Sequence, residues 1–225
     1  MIKKIAKEIA KNINTSYLER ILSQSILKKK YNQLFNTKIF KTREELWTSA
    51  LEPFKNDAIN FIEFGVWEGY SLDIFSKLNK SNNSSFYGFD SFEGLPSDWD
   101  ETYKKGSFNV DGLIPGIKDK RVTFQKGWFQ NTLPDFLKSF KEKNFLFVHY
   151  DADLYSSTLY CLSQIDSLKL SYIAIFDEFY SHEMRALSNY QDAYGANIEF
   201  IGKTISDNYP VQVSCKITPC EVYKV

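Results

Sequence analysis

The sequence predicts an α/β fold: a doubly wound, mostly parallel sheet of seven strands with helices on both faces, preceded by an N-terminal helical extension. Three observations carry this expectation. From residue 58 onward, short apolar runs alternate with stretches of helical periodicity. The alternation of strand and helix holds almost throughout, which requires crossover connections and hence parallel pairing. Acidic residues also stand at or beside the C-terminal ends of four strand candidates, the end at which such a sheet opens its ligand crevice.

Taken in order, residues 1–55 read as the helical extension, a lid over the rest of the chain. Ile2, Ile5, Ile9 and Ile13 recur at spacings that share one helical face, and Leu18, Ile21, Leu22, Ile26 and Leu27 repeat the pattern. Lys28-Lys29-Lys30 reads as a solvated helix end, and Thr42-Arg43-Glu44-Glu45 ahead of Leu46-Trp47 as a capped helix start. Residues 56–225 form the main domain. Its strand candidates cover 58–64, 85–90, 121–125, 145–150, 172–176, 198–201 and 211–217; its helices cover 69–79, 133–143, 155–168 and about 182–193. Residues 94–118, rich in Gly, Asp, Ser and Pro, read as a long loop, and loops of that length are functional or mobile.

Composition excludes several classes of function. The 28 Lys and Arg balance 28 Asp and Glu, so a mainly electrostatic nucleic-acid binder is not expected. Cys161, Cys215 and Cys220 form no CxxC, which suits buried thiols in a reducing compartment, and His and Cys never cluster as a zinc site would require. No apolar run reaches the roughly 18 residues of a membrane span, and the basic, apolar start lacks the features of a secretory signal. The expected location is the cytoplasm. The 19 Phe, 14 Tyr and 4 Trp suit a core and also a site for flat ligands.

The candidate site is read from the strand ends. Glu63, Asp90, Asp151 and Asp177 each end or follow an apolar run. Gly65 and Gly69 flank the first strand-to-helix turn, where a missing Cβ lets a ligand approach; a plain tight turn explains them equally well. Asp90, 25 residues beyond Gly65, is placed to accept two ribose hydroxyls, or else caps the next segment. Asp151 and Asp153 leave one strand end, Asp177 and Glu178 another, and an all-oxygen donor set of this kind favours Mg²⁺, Mn²⁺ or Ca²⁺. His149 reads either as a base or orienting group in the crevice or as a structural histidine. Trp128 stacks on an adenine or fills the core, and His182 contacts substrate or merely begins a helix.

These segments carry a resemblance. Phe61-Ile62-Glu63-Phe64-Gly65-Val66, the string from Tyr87 to Pro96 (YGFDSFEGLP), Lys126 to Pro134 (KGWFQNTLP), His149 to Thr158 (HYDADLYSST) and Phe176-Asp177-Glu178-Phe179-Tyr180 resemble the macrocin O-methyltransferase family. That family comprises class I enzymes with a Rossmann-like sheet that methylate sugar hydroxyls using S-adenosylmethionine. The resemblance implies that Glu63, Gly65, Gly69 and Ser71 hold the methionine end of the cofactor. It places Asp90 on the ribose with Ser91 beside it, and Gln125, Gly127 and Trp128 near the adenine. It implies that Asp151, Asp177 and Glu178 ligate Mg²⁺, with Asp151 also taking the proton. Glu178 departs from the family, which commonly has a second Asp there.

The expected function is therefore S-adenosylmethionine-dependent O-methylation of a sugar or glycosylated small molecule. A nicotinamide-dependent oxidoreductase and a non-catalytic binding protein on the same sheet are the alternatives. The missing third glycine counts against the former and the intact acids against the latter. An apolar N-terminal helical face is available to a second copy of the chain.

Overall fold

The computed structural model describes residues 15–141 and 143–221, with side chains from residue 21 onward. The expected face of Ile2, Ile5, Ile9 and Ile13, and the side chain of Leu18, lie outside it. Eight strands are described: β1 (Lys38–Phe40), β2 (Ile59–Phe64), β3 (Ser85–Asp90), β4 (Val122–Lys126), β5 (Phe145–Tyr150), β6 (Tyr172–Phe176), β7 (Asn197–Ser206) and β8 (Tyr209–Thr218). They form one sheet in the order β1-β7-β8-β6-β5-β2-β3-β4. Only β8 runs antiparallel to its neighbours.

The helices are α1 (Thr15–Lys29), α2 (Arg43–Leu51), α3 (Tyr70–Leu78), α4 (Phe129–Ser139), α5 (Tyr155–Asp166) and α6 (His182–Tyr194). Thr42 caps α2 as its position suggested, its hydroxyl accepting the Glu45 N–H. None of the described helices is long and apolar enough to cross a membrane.

The three central strands explain why the sheet is covered on both faces. Every residue of β2 and β6 is buried, and all but the first of β5, as expected of parallel strands packed between two helical layers. Alternate side chains sort into two cores. Ile62, Phe64, Val148, Tyr150 and Phe176 face α5 and α6, through Leu162, Ile165 and Leu187. Phe61, Phe147, Ile173 and Ile175 face Trp47 of α2 and Phe75 of α3. The chain runs outward from β2 through β3 to β4, then returns to β5 on the other side of β2. The direction of winding reverses there, and a crevice opens at the C-terminal ends of β2 and β5.

Two expectations need correction. The sheet has eight strands, not seven, because residues 38–40, expected to be helical, add an edge strand parallel to β7. Three residues are too short to show a period, and the pairing comes from a partner more than 160 residues away. Helix α4 begins at Phe129, four residues before the expected start, and holds Pro134 inside it. The final two strands form a hairpin whose turn residues, Asp207 and Asn208, both have positive φ (49° and 67°), the conformation that matches strand twist.

Residues 31–51 are built into the body of the protein. Tyr31, Leu34 and Trp47 are buried. Lys203 of β7 is buried too, and its ammonium donates to the carbonyls of Leu34 (2.6 Å), Phe35 (3.1 Å) and Thr37 (3.2 Å). Lys30 is likewise engaged, on Asp192 and the Ser188 carbonyl, while Lys28 and Lys29 are exposed. Lys203→Met keeps most of the stem but leaves those carbonyls without donors. It should lower the unfolding free energy by about 1–3 kcal/mol in a urea titration; an unchanged midpoint would show that the ammonium gives no net stabilisation.

Candidate active site

A cleft of about 920 Å³ lies over the C-terminal strand ends, at the upper end of the range for small-molecule sites. Of the residues singled out from the sequence, Gly65, Asp90, Ser91, Gly127, Trp128, Asp151, Asp153, Asp177 and Glu178 line it.

Its floor is set by backbone. Beyond the strand ends the pairing continues for one more residue: Asp151 N–H donates to Phe64 C=O (2.9 Å), Asp177 N–H to Tyr150 C=O (3.1 Å) and Gly127 N–H to Asp90 C=O (2.8 Å). Each of these candidate residues is thereby fixed by its neighbour's strand. Gly65 follows β2 with φ 90°, and a Cβ there would lie 1.8 Å from the Asp151 carbonyl oxygen, so the turn and the acid occupy adjoining space.

Asp90 does more than was expected of it. Its Oδ2 accepts the N–H groups of Val66 and Trp67, both at 2.8 Å, and its Oδ1 accepts the Phe92 N–H at 2.7 Å. The carboxylate pins the glycine turn to the next strand. Of its roughly four acceptor positions about one remains for a ligand, rather than the two that a pair of ribose hydroxyls would use.

Glu63, Ser71 and His149 lie beneath the cleft and do not line it. The physical reason is the period of two: Glu63 and His149 share the face of Phe61 and Phe147 and point into the core that holds Trp47 and Phe75. There the Ser71 hydroxyl donates to Glu63 Oε1, and His149 Nδ1 lies 2.8 Å from the same oxygen. His149 Nε2 points toward Asp177 Oδ1 at 4.0 Å. Glu63 Oε2, His149 Nε2 and Asp177 Oδ1 are buried without a hydrogen-bond partner among the described residues. Gly69 stands at the N-cap of α3, against Pro115, and Gln125 pairs with Phe89 inside β4; neither lines the cleft.

The β5 and β6 ends gather carboxyls. Burial, then Asp177, Asp153 and Glu183, push the Asp151 carboxyl well above its usual range. Burial and the neighbouring Glu178 push Asp153 up to about 7, and burial and Asp177 push Glu178 up to about 7. Glu183 is fully buried at the start of α6, where its Oε2 accepts the Glu178 N–H at 2.9 Å. Among the described residues, a cation faces this group. Arg43 of α2 places Nη1 3.4 Å from Asp177 Oδ2, and its guanidinium lies over the rings of Trp47 (5.2 Å) and Tyr70 (5.4 Å). The oxygen donors and the unpartnered Asp177 Oδ1 suit a hard divalent cation in chemistry. Among the described residues, however, no three acids or histidines are already arranged as a metal site.

Sequence reasoning missed Arg43, Glu183 and the cleft-lining aromatics Trp67, Trp99, Tyr103 and Phe108. Arg43 did leave a signal. A cation in the first turn of a helix works against the helix dipole, so something beyond the helix must account for it.

The sequence profile of the family described as Macrocin-O-methyltransferase (TylF) matches residues 31–202. No curated protein matches the chain. Among solved structures, CalS11, a calicheamicin methyltransferase, is similar with a TM-score of 0.56 at 19% identity, covering 90% of this chain and 93% of that one. An O-methyltransferase from Bacillus cereus, solved in complex with SAH, gives a TM-score of 0.55 at 11% identity, covering 96% of each chain. At these identities the likeness to the two structures is one of fold.

Two outcomes are expected from the floor of the site. Gly65→Ala would force a Cβ onto the Asp151 carbonyl and should cost upward of about 3 kcal/mol in chemical denaturation; a stable variant would mean the turn can move away. The second concerns pH. Unfolded carboxyls titrate near ~4, whereas Asp153 and Glu178 keep their protons to about 7 in the folded chain. The folded state binds more protons across that window, so these groups make stability fall as pH rises through it. Melting temperatures measured from about pH 5 to about pH 8 should decline, and Glu178→Gln should flatten the decline; an identical slope in the variant would remove Glu178 from this account.

Proposed function

The chain belongs to the macrocin-O-methyltransferase family; it is an S-adenosylmethionine-dependent O-methyltransferase, and we propose that it methylates a hydroxyl of a sugar or glycosylated small molecule with the help of a divalent cation, Mg²⁺ by the chemistry of its donors. The observation that carries the reading is the meeting in one cleft of the glycine turn, held by Asp90, with the acids at the β5 and β6 ends. Family membership leaves the oxidoreductase alternative without support.

When bound, S-adenosylmethionine supplies a methyl group on a positively charged sulfur. In this proposal Asp90 takes one ribose hydroxyl at its remaining acceptor position, with Ser91 beside it. Gly65 admits the methionine end, and Gly127 and Trp128 border the adenine. Glu63 and Ser71 support that end from below. Helix α2 contributes Arg43 to the acceptor side.

Asp151 is the base. It would take the proton of the acceptor hydroxyl as that oxygen receives the methyl group, which the donor would supply on leaving as a neutral thioether. Burial and like-charged neighbours raise its proton affinity, as abstraction from an alcohol requires. The same surroundings favour its protonated form, which cannot act as a base, unless positive charge stands nearby. Arg43 provides part of that charge. A divalent cation held by Asp151, Asp177 and Glu178 would supply the rest and stabilise the developing alkoxide. His149 is a positioning residue here, holding Glu63 beneath the turn and facing Asp177.

Calorimetry with S-adenosylmethionine should show binding, and a methyl-transfer assay over a panel of glycosides should find an acceptor; a chain that binds the donor and transfers to none would be the non-catalytic alternative. Asp151→Asn should reduce turnover by about 10²-fold or more while leaving donor affinity nearly unchanged, and wild-type turnover would end its assignment as base. Stripping the enzyme with a chelator should abolish transfer and Mg²⁺ should restore it; full activity after stripping would remove the cation from the mechanism.

A further inference from the structure

The cleft has a second wall, for which methyl transfer as described has no use. It belongs to the β2–β3 side, while the acids end β5 and β6. Most of it stands on the loop after β3, and that loop is a built object. Leu95 N–H donates to Ser107 C=O (2.9 Å), Trp99 N–H to Tyr103 C=O (2.9 Å) and Gly112 N–H to Phe92 C=O (2.8 Å). The Asp100 carboxylate accepts the N–H groups of Thr102 (2.7 Å) and Tyr103 (2.8 Å).

On this frame four aromatic rings make a ladder. Trp99 stacks on Tyr103, with centroids 5.2 Å apart and planes 25° from parallel, and Tyr103 stacks on Phe108 with the same spacing and tilt. Phe108 meets Trp67 edge-on at 5.7 Å. All four line the cleft, yet Trp67 is 46% and Tyr103 40% exposed. Rings of this size left in contact with water, in series and inside a site, are a recognition surface rather than a core. Near-parallel rings extend naturally by one more flat ring in offset stacking. The Trp67 end of the wall is also within reach of the chemistry. Trp67 lies two residues from Gly65, which abuts the Asp151 carbonyl, so roughly 7 Å of chain separates them.

We infer that this wall is an acceptor subsite for a flat unsaturated ring attached to the sugar, either an aromatic aglycone or a nucleobase, and that stacking there delivers the sugar hydroxyl to Asp151. The inference rests on the sugar O-methylation reading and adds the part of the acceptor beyond the sugar. Lys105 lines the same wall. Its ammonium would serve the phosphates of a nucleotide-linked sugar and has no work on a neutral aglycone, which separates the two sources of the ring.

The test is binding to the full chain saturated with S-adenosylhomocysteine, using matched pairs of ligands. One set compares 4-nitrophenyl glycosides with methyl glycosides of the same sugars; the other compares nucleoside diphosphate sugars with the sugar 1-phosphates. In at least one set the ring-bearing member should bind about tenfold tighter, the worth of one or two ring stacks. Trp99→Ala and Tyr103→Ala should erase that preference without changing donor affinity. Lys105→Ala should weaken only the nucleotide set if a nucleobase is the ring, and neither set if it is an aglycone. No preference in the wild type, or a preference that survives both aromatic variants, overturns the inference. So does a loss confined to donor affinity, which would give the wall to the donor. Should ring preference persist while no acceptor is ever methylated, the methyl-transfer reading falls and the subsite stands.

Discussion

Carboxyl groups repel one another, and removing them from water raises the cost of ionising each. The site depends on holding several of them together in spite of this. Asp151, Asp153, Asp177, Glu178 and Glu183 are drawn into one region because two adjacent parallel strands end side by side and a helix begins just beyond them. Neither strand can withdraw its acid, since Asp151 and Asp177 are each tied by their own N–H to the neighbouring strand of the sheet. With the backbone fixed, the repulsion is relieved through protons and cations. Protons account for the raised affinities, and Arg43 is the cation the fold itself provides. A site under this constraint is receptive to added positive charge, and a sulfonium donor and a divalent ion both bring it.

The strand-end acids and the first glycine turn could be read from the sequence because strands announce themselves locally. A run such as Ile173-Ala174-Ile175-Phe176 has a visible end, and Asp177 marks it. Which way a side chain points at that end was harder. Glu63 and Asp90 look alike as acids at strand ends, yet Glu63 lies one position inside β2 and faces the core, while Asp90 closes β3 and reaches back to the turn. Successive residues of a strand face opposite ways, so standing near a strand end does not by itself say which face an acid takes. His149, one position inside β5, likewise lies on the core face, against Trp47 and Phe75.

What the sequence concealed is tertiary. Arg43 meets Asp177 across 134 positions of chain, and the capping pattern around it gave a complete local explanation that drew attention away from its charge. Glu183 was not singled out, although it stands only five residues from Glu178: the turn from β6 into α6 is what sets its carboxylate on the Glu178 N–H. The aromatic ladder was hidden inside a segment that composition marked only as a loop; its order comes from turns closed by Asp100 and by backbone pairing. Strand β1 escaped because three residues carry no periodicity.

Lys203 has a mechanical consequence. By clasping the carbonyls of the 34–37 segment, it rivets that stretch to β7, and β1 is zipped onto the same strand. The start of α2 comes two residues later, so Arg43 rides on the chassis of the protein rather than on a swinging door. Its guanidinium approaches or leaves Asp177 by rotating its own bonds, and the opening of the site to reactants need not carry the charge away.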